Sequence, residues 1–211
     1  DTDRDLAMCL LFSPAAGRAA LADRLSLALE AELSLRIASE PMLAAIRLQW
    51  WVEAIEAGRH ESVPLMRRLL RHLEAGDLRQ DDLLAQLAIW QDRLADDTIP
   101  AGTCWQGFFE MMAGTQSARD SAARDSAARD AAAGDAAGRV GAALQDHEKA
   151  AQLDDATVAS LQTPQCRWIW MAGMLARYRL SGGYREDDAL LVWRMLGWRF
   201  GIRLPSPSSS P

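Results

Sequence analysis

The fold is decided by the stretch Ser39-Glu-Pro-Met-Leu-Ala-Ala-Ile-Arg-Leu-Gln-Trp-Trp-Val-Glu-Ala-Ile55, which opens with a break and continues as a helix. A residue before proline is disfavoured in the α region, so Pro41 marks a helix start. Large apolar side chains follow at helical spacing, among them Ile46 and Trp50. Gly58 is typical of a helix end. The stretch therefore predicts one helix between Pro41 and Gly58.

The same pattern extends along most of the chain. Apolar residues recur at threes and fours over residues 5–37, and Ser13-Pro14 divides that region into two helices. Residues 64–73 and 81–94 repeat the pattern. No stretch alternates as a strand would, so the sequence predicts an all-α fold.

Bulk composition bounds the function classes. The 211 residues are 49% hydrophobic and 25% charged, which suits a folded core, and we expect one domain over residues 1–204. The net charge of -6 argues against a nucleic-acid partner, because a negatively charged protein has no overall attraction for phosphate. The three cysteines lie far apart and are expected to be small buried hydrophobes in a reducing compartment. With no long apolar run, we expect the cytoplasm or the mitochondrial matrix.

Two segments are compositionally biased. Residues 117–139 contain a five-residue Ala/Arg/Asp repeat, whose aspartates spread over all faces of a helix because five residues advance it by about 140°. Two interpretations stay open: an Ala-rich helix, or a surface insert that is partly disordered. Residues 205–211 are Pro/Ser-rich and are expected to form a disordered tail.

The C-terminal third predicts a basic, aromatic helical hairpin. Two apolar runs flank Gly182-Gly183, and arginines lie among their tryptophans. Such a hairpin suits docking on a larger protein or an anionic membrane, or it closes the helical core with Arg stems covering apolar surface. A further tryptophan, in the pair Trp50-Trp51, is a candidate because adjacent helical residues point about 100° apart. The candidate partner-binding residues are Trp51, Trp168, Trp170, Trp193, Trp198 and Arg194.

The acidic-proline turn followed by Ile46-Arg-Leu-Gln-Trp-Trp51 resembles the squalene/phytoene synthase family, particularly its bacterial and mitochondrial non-carotenoid branch. Leu11-Phe-Ser-Pro14 upstream and Asp92-Arg-Leu-Ala-Asp96 downstream are similar in outline. The resemblance implies a single-domain helical bundle of the isoprenoid synthase type, shortened.

Known members of that family couple two prenyl diphosphates head to head, with magnesium held by two Asp-rich motifs. The resemblance places the first motif on Glu32 and Arg36, where Arg36 puts a fixed cation in place of the second carboxylate. After Gly114, no paired carboxylates stand where the second motif is expected. The resemblance therefore implies a degenerate branch with no catalytic residue, no metal and no cofactor.

Two weaker ligand sites are also candidates. Arg47 and Gln49 could hold a phosphate or serve helix packing, and Asp92 and Asp96 have the i, i+4 spacing of a metal pair or form a solvated helix end.

These features predict a catalytically inactive protein that acts as an accessory subunit or assembly factor of a membrane-associated, respiratory-type complex. This role follows by analogy with a mitochondrial relative that serves respiratory complex I assembly. The expected partner is a larger protein complex, with peripheral contact to the inner membrane left open. The alternative is a prenyl-diphosphate-binding protein or head-to-head prenyltransferase with a degenerate magnesium site on Glu32, Asp92 and Asp96. A third alternative is a stable remnant that binds neither ligand nor partner.

Overall fold

A computed structural model describes residues 2–38, 40–59, 62–120, 127–180, 184–185 and 188–201. In these ranges the chain forms eleven α-helices and no β-strand, which confirms the all-α prediction. The helices are α1 (Thr2–Leu10), α2 (Arg18–Ile37), α3 (Pro41–Ala57), α4 (Pro64–Glu74), α5 (Gln80–Ala95), α6 (Ala101–Asp120), α7 (Ala127–Ala143), α8 (His147–Ala151), α9 (Asp155–Ser160), α10 (Arg167–Leu180) and α11 (Leu191–Arg199).

Helix α3 begins and ends where the sequence predicts. Glu40 is extended and Pro41 occupies the first turn, where its missing N–H costs no hydrogen bond. Gly58 closes the helix with a φ of 59°, a left-handed conformation that glycine adopts without steric penalty. Its backbone N–H donates to the carbonyl oxygens of Ala54 and Ile55.

The helices group into two compact units. The middle unit is Pro14–Phe108, and the terminal unit combines Asp1–Ser13 with Phe109–Pro211. Helix α6 contributes its first residues to the middle unit and the rest to the terminal unit. The single domain over residues 1–204 stays a prediction.

In the middle unit, α2 packs against α3, α4 and α5, and α3 packs against α5. Three fully buried aromatic rings, Trp90, Trp105 and Phe108, meet edge to face with ring centroids 5.7 to 6.2 Å apart. This geometry suits the aromatic quadrupole and adds to the stability that burial gives. The cluster therefore anchors α5 and the start of α6.

In the terminal unit, α10 is the central helix and packs against α1, α7, α8 and α9. Its buried Trp168 lies 5.1 Å from Phe109 between ring centroids. A Cβ atom on Gly173 would come within 3.1 Å of Val140 Cγ2, so the missing side chain allows α10 to approach α7 closely. The side chains of Asp146 and Asp154 cap α8 and α9 by accepting backbone N–H groups.

The predicted hairpin corresponds to helices α10 and α11, while Gly182 and Gly183 lie outside the described residues. The two helices meet where Tyr178 and Trp198 place their ring centroids 5.6 Å apart. The repeat region overlaps the end of α6 and much of α7, and residues 121–126 lie outside the described residues. The tail over 205–211 also lies outside them.

The cysteines Cys9, Cys104 and Cys166 are free thiols and are buried, as the sequence predicts. Burial raises the pKa of the Cys9 thiol, and nearby Asp5 raises it further. Burial likewise raises the pKa of Cys104.

Among the described residues, no helix combines the length and the apolar character needed to cross a bilayer.

Candidate functional site

The two positions that the resemblance assigns to a first metal-binding motif, Glu32 and Arg36, lie one turn apart on α2. Glu32 accepts a hydrogen bond from the indole Nε1 of Trp105, with 2.9 Å between Nε1 and Oε2. Arg36 is exposed one turn further on. This face of α2 therefore presents a carboxylate that already has an indole donor, followed by a fixed cation.

Asp92 and Asp96 lie at the C-terminal end of α5 and both are exposed. Asp96 accepts hydrogen bonds from Oγ1 of Thr98 at 2.6 Å and from its backbone N–H at 3.0 Å. The hydroxyl and then the backbone bond lower the pKa of Asp96. Asp96 therefore shapes the turn that ends α5.

Across the described ranges, no three His, Cys, Asp or Glu side chains converge as a metal site would require.

Arg47 and Gln49 are both exposed on α3. The side-chain amide of Gln49 donates to Oε1 of Glu53 at 3.1 Å, an i, i+4 pair on the helix surface. Gln49 and Glu53 both line a groove on the protein surface.

The groove runs between α3 and α5 and encloses about 940 Å³. We call it the α3–α5 groove. Its lining is mostly apolar, and its residues are Pro41, Met42, Ala45, Ile46, Gln49, Trp50, Glu53, Gln91, Leu94 and Ala95.

Two large apolar side chains in this groove are strongly exposed: Met42 by 70% and Ile46 by 58%. The sequence predicted the helix but not this exposure. A usable signal was present, because α3 carries apolar residues on two faces: Leu48 and Ile55 enter the core, while Met42 and Ile46 lie on the groove side.

Three of the predicted partner-binding residues, Trp51, Trp168 and Trp170, are buried, and their binding of a partner stays a prediction. Each of these indoles is at most 7% exposed, since helix packing covers them. In the pair Trp50-Trp51, Trp51 is the buried member and Trp50 lines the α3–α5 groove.

The other three partner candidates lie on α11 of the terminal unit. Arg194 is engaged within the unit, with Nε 3.2 Å from Oδ2 of Asp188 and its guanidinium 5.2 Å from the ring centroid of Tyr178. Trp198 is half-buried against Tyr178, whereas Trp193 is 66% exposed. Further exposed residues surround it on one side of α11. We call this surface the α11 ridge; its residues are Val192, Trp193, Arg199 and Phe200.

A buried charge cluster in the terminal unit was not predicted. Asp5 is fully buried, and its Oδ2 accepts from Nη2 of Arg179 at 2.7 Å and from the hydroxyl of Tyr184. Burial raises the pKa of Tyr184, and the bond to Asp5 raises it further. The partners are about 175 residues apart in sequence, so no local pattern pairs them.

A second unpredicted cluster lies in the middle unit. Asp23 binds Nε of Arg68 at 2.7 Å and lies 3.3 Å from Nε2 of His72, whose Nδ1 lies 3.0 Å from Asp77. The side chain of His72 is only 18% exposed. It joins α2 to the end of α4.

Comparison with protein families, with curated proteins and with solved structures finds no match to this chain. The isoprenoid synthase type therefore stays a prediction from the residues quoted above.

Proposed function

We propose that this chain is a non-catalytic protein resembling squalene/phytoene synthases, and that it acts as an accessory subunit or assembly factor of a membrane-associated, respiratory-type complex. The observation that carries the proposal is the pair at the first motif: Glu32 hydrogen-bonded to Trp105, with Arg36 exposed one turn away.

The chemistry of diphosphate departure explains why this pair matters. A leaving diphosphate is neutralised by magnesium, which prefers octahedral coordination by hard oxygen ligands. Arg36 offers no lone pair, and its positive charge repels a divalent cation. The motif positions therefore lack the paired carboxylates that this chemistry needs.

A binding role requires an accessible surface, and the α11 ridge supplies one. Trp193 is 66% exposed beside Phe200 at 72%, and Arg199 adds a cation to the same surface. Interfaces are enriched in Trp, Phe and Arg, and such residues carry much of the binding energy. The membrane-associated nature of the complex rests on the family resemblance alone.

The first test is titration calorimetry with farnesyl diphosphate, with and without magnesium. We expect no magnesium-dependent heat, from the wild type or from Glu32→Ala. Heat that requires magnesium and disappears in Glu32→Ala would contradict the proposal and favour the prenyl-diphosphate-binding alternative.

The second test is capture of partners from detergent-solubilised respiratory membranes, followed by mass spectrometry. We expect the subunits of one complex to be enriched by the wild type and by Gln162→Glu, a matched change at an exposed position of the same unit. Trp193→Asp should lose them. Equal capture by all three proteins would contradict a role for the α11 ridge.

A further inference from the structure

The α3–α5 groove has the form of a receptor for a helix. Its lining is apolar at Met42, Ala45 and Ile46 on α3 and at Leu94 on α5. Met42, Ala45, Ile46 and Gln49 follow the i, i+3, i+4, i+7 spacing of a single helix face. Apolar grooves of this kind bind amphipathic helices through a similarly spaced set of apolar residues.

One end of the groove is acidic. Glu53 lines it, and exposed Glu56 follows three residues later on the same side of α3. The helix that fits this groove therefore has an apolar ridge and a cation toward one end.

The chain itself carries such a helix. The α11 ridge presents Val192, Trp193 and Phe200, which are 38%, 66% and 72% exposed. Arg199 is exposed at the C-terminal end of α11, where a cation also suits the helix dipole. Its charge is opposite to those of Glu53 and Glu56.

From the opposite charges and the shared apolar character of the two surfaces, we propose that the α3–α5 groove of one copy receives the α11 ridge of a second copy. Trp193 and Phe200 lie against Met42 and Ile46, and Arg199 faces Glu53. The two surfaces are different, so the contact is head to tail, and a dimer formed by one contact keeps one groove and one ridge open.

This inference goes beyond the proposed function, because it concerns the protein alone. It has one consequence for that function: a self-contact covers Trp193, so a partner that binds the α11 ridge competes with the second copy.

The test is the molar mass of the purified 211-residue chain in sedimentation equilibrium over a wide range of concentrations. The wild type should show a mass that rises with concentration. Ile46→Asp should block the groove and Trp193→Asp the ridge, each weakening association by about tenfold or more, since a buried tryptophan and its pocket dominate such interfaces. Each variant alone should be monomeric at concentrations where the wild type is not.

Mixing the two variants gives the decisive result. Ile46→Asp keeps an intact ridge and Trp193→Asp keeps an intact groove, so an equimolar mixture should form a dimer that stops at two chains. A mixture that stays monomeric would overturn the proposal, as would a wild type that is monomeric at every concentration.

Charge exchange tests the proposed pairing without touching apolar residues. Glu53→Arg and Arg199→Glu should each weaken association, and the two changes in one chain should restore it. Glu74→Arg, an equal charge change at an exposed position on α4, is the matched control and should have no effect. Failure of the double variant to recover would overturn the pairing.

Two further experiments distinguish the self-contact from lipid binding and from partner binding. In one outcome, the wild type is monomeric and binds vesicles that contain anionic lipid, whereas Trp193→Asp does not bind them. The ridge would then be a lipid-binding surface, and the self-contact would be overturned. Glu53→Arg should still capture the partners sought under the proposed function, since it leaves the ridge intact. The two proposals can therefore fail independently.

Discussion

Arg24 of α2 and Gln86 of α5 bind each other in both directions: Arg24 Nε donates to Oε1 of Gln86 at 3.2 Å, and Gln86 Nε2 donates to the backbone oxygen of Arg24 at 2.9 Å. Both side chains are buried, Gln86 completely. The amide thus satisfies a guanidinium N–H and a backbone carbonyl together, and it ties the two helices in the interior of the middle unit.

Replacing Gln86 with alanine should destabilise the protein by about 2–3 kcal/mol, because a buried charged donor and a carbonyl both lose this partner. Urea denaturation followed by circular dichroism measures the change. Gln91→Ala, on the same helix at the groove, should cost no more than about 0.5 kcal/mol. Equal losses in the two variants would show that the reciprocal pair adds nothing.

The Asp5–Arg179 pair should behave as a buried ion pair. Arg179→Met keeps most of the side-chain volume but removes the cation beside a fully buried carboxylate, at a cost of about 3–5 kcal/mol. Thermal or urea unfolding measures this loss.

A double variant isolates the charge effect. Among the described residues, Oδ1 of Asp5 and Nε of Arg179 have no hydrogen-bond partner, so the cluster is incompletely satisfied. Asp5→Leu together with Arg179→Met should therefore be more stable than Arg179→Met alone. A double variant that is no more stable than Arg179→Met would contradict this.

The buried thiols should resist modification. Burial raises the pKa values of Cys9 and Cys104, so at pH 8 little thiolate is present in the folded protein, and access is closed at all three cysteines. We expect a disulfide reagent such as Ellman's to react slowly with native protein and rapidly with three thiols in denaturant. Fast reaction of one thiol under native conditions would show that its helix opens.

Asp154 should make stability depend on acid pH. It caps α9 by accepting the backbone N–H of Thr157 at 2.6 Å, and that bond lowers its pKa below the ordinary value of 3.8. As the pH falls, the carboxyl group of Asp154 is therefore protonated in the unfolded chain before it is protonated in the folded chain. The stability that the ionised cap contributes is complete above about pH 4 and is lost as the pH falls through the lowered pKa.

The difference in Tm between wild type and Asp154→Ala should accordingly shrink below pH 4. Asp154→Asn retains a capping oxygen but does not titrate, so its difference from Asp154→Ala should stay nearly constant with pH. A gap between wild type and Asp154→Ala that does not change with pH would show that ionisation of Asp154 is irrelevant to the cap.

Placing a second carboxylate on α2 should not create a magnesium site. Arg36→Asp creates an i, i+4 acidic pair on α2, but one pair supplies few of the oxygen ligands that magnesium needs, and Glu32 already accepts a hydrogen bond from Trp105. We expect no magnesium-dependent heat in calorimetry from Arg36→Asp. Micromolar magnesium binding by this single variant would show that Arg36 alone blocks the site.

Local chemistry made the helices predictable. Pro41 and Gly58 mark the two ends of α3, because their backbone preferences act within one or two residues. The predicted break at Ser13-Pro14 likewise separates α1 from α2. The all-α class follows from such punctuation together with helical periodicity.

The side-chain pairs were beyond such reasoning. Glu32 meets Trp105 across 73 positions, and Asp5 meets Arg179 across 174, so each pairing depends on how the helices pack. The unequal burial of the tryptophans has the same cause. Trp168 and Trp193 lie in similar basic, apolar surroundings in sequence, yet one is fully buried and the other is 66% exposed.

The unequal burial of the tryptophans also determines the intrinsic fluorescence of the protein. Trp193 is the most exposed of the eight indoles, while Trp90, Trp105 and Trp168 are sealed in the two interiors. Acrylamide should therefore quench a red-shifted minority of the intrinsic fluorescence, and that fraction should fall in Trp193→Phe. Any molecule that covers α11 will shield this light and move it to shorter wavelength, so the protein carries its own optical reporter of occupancy.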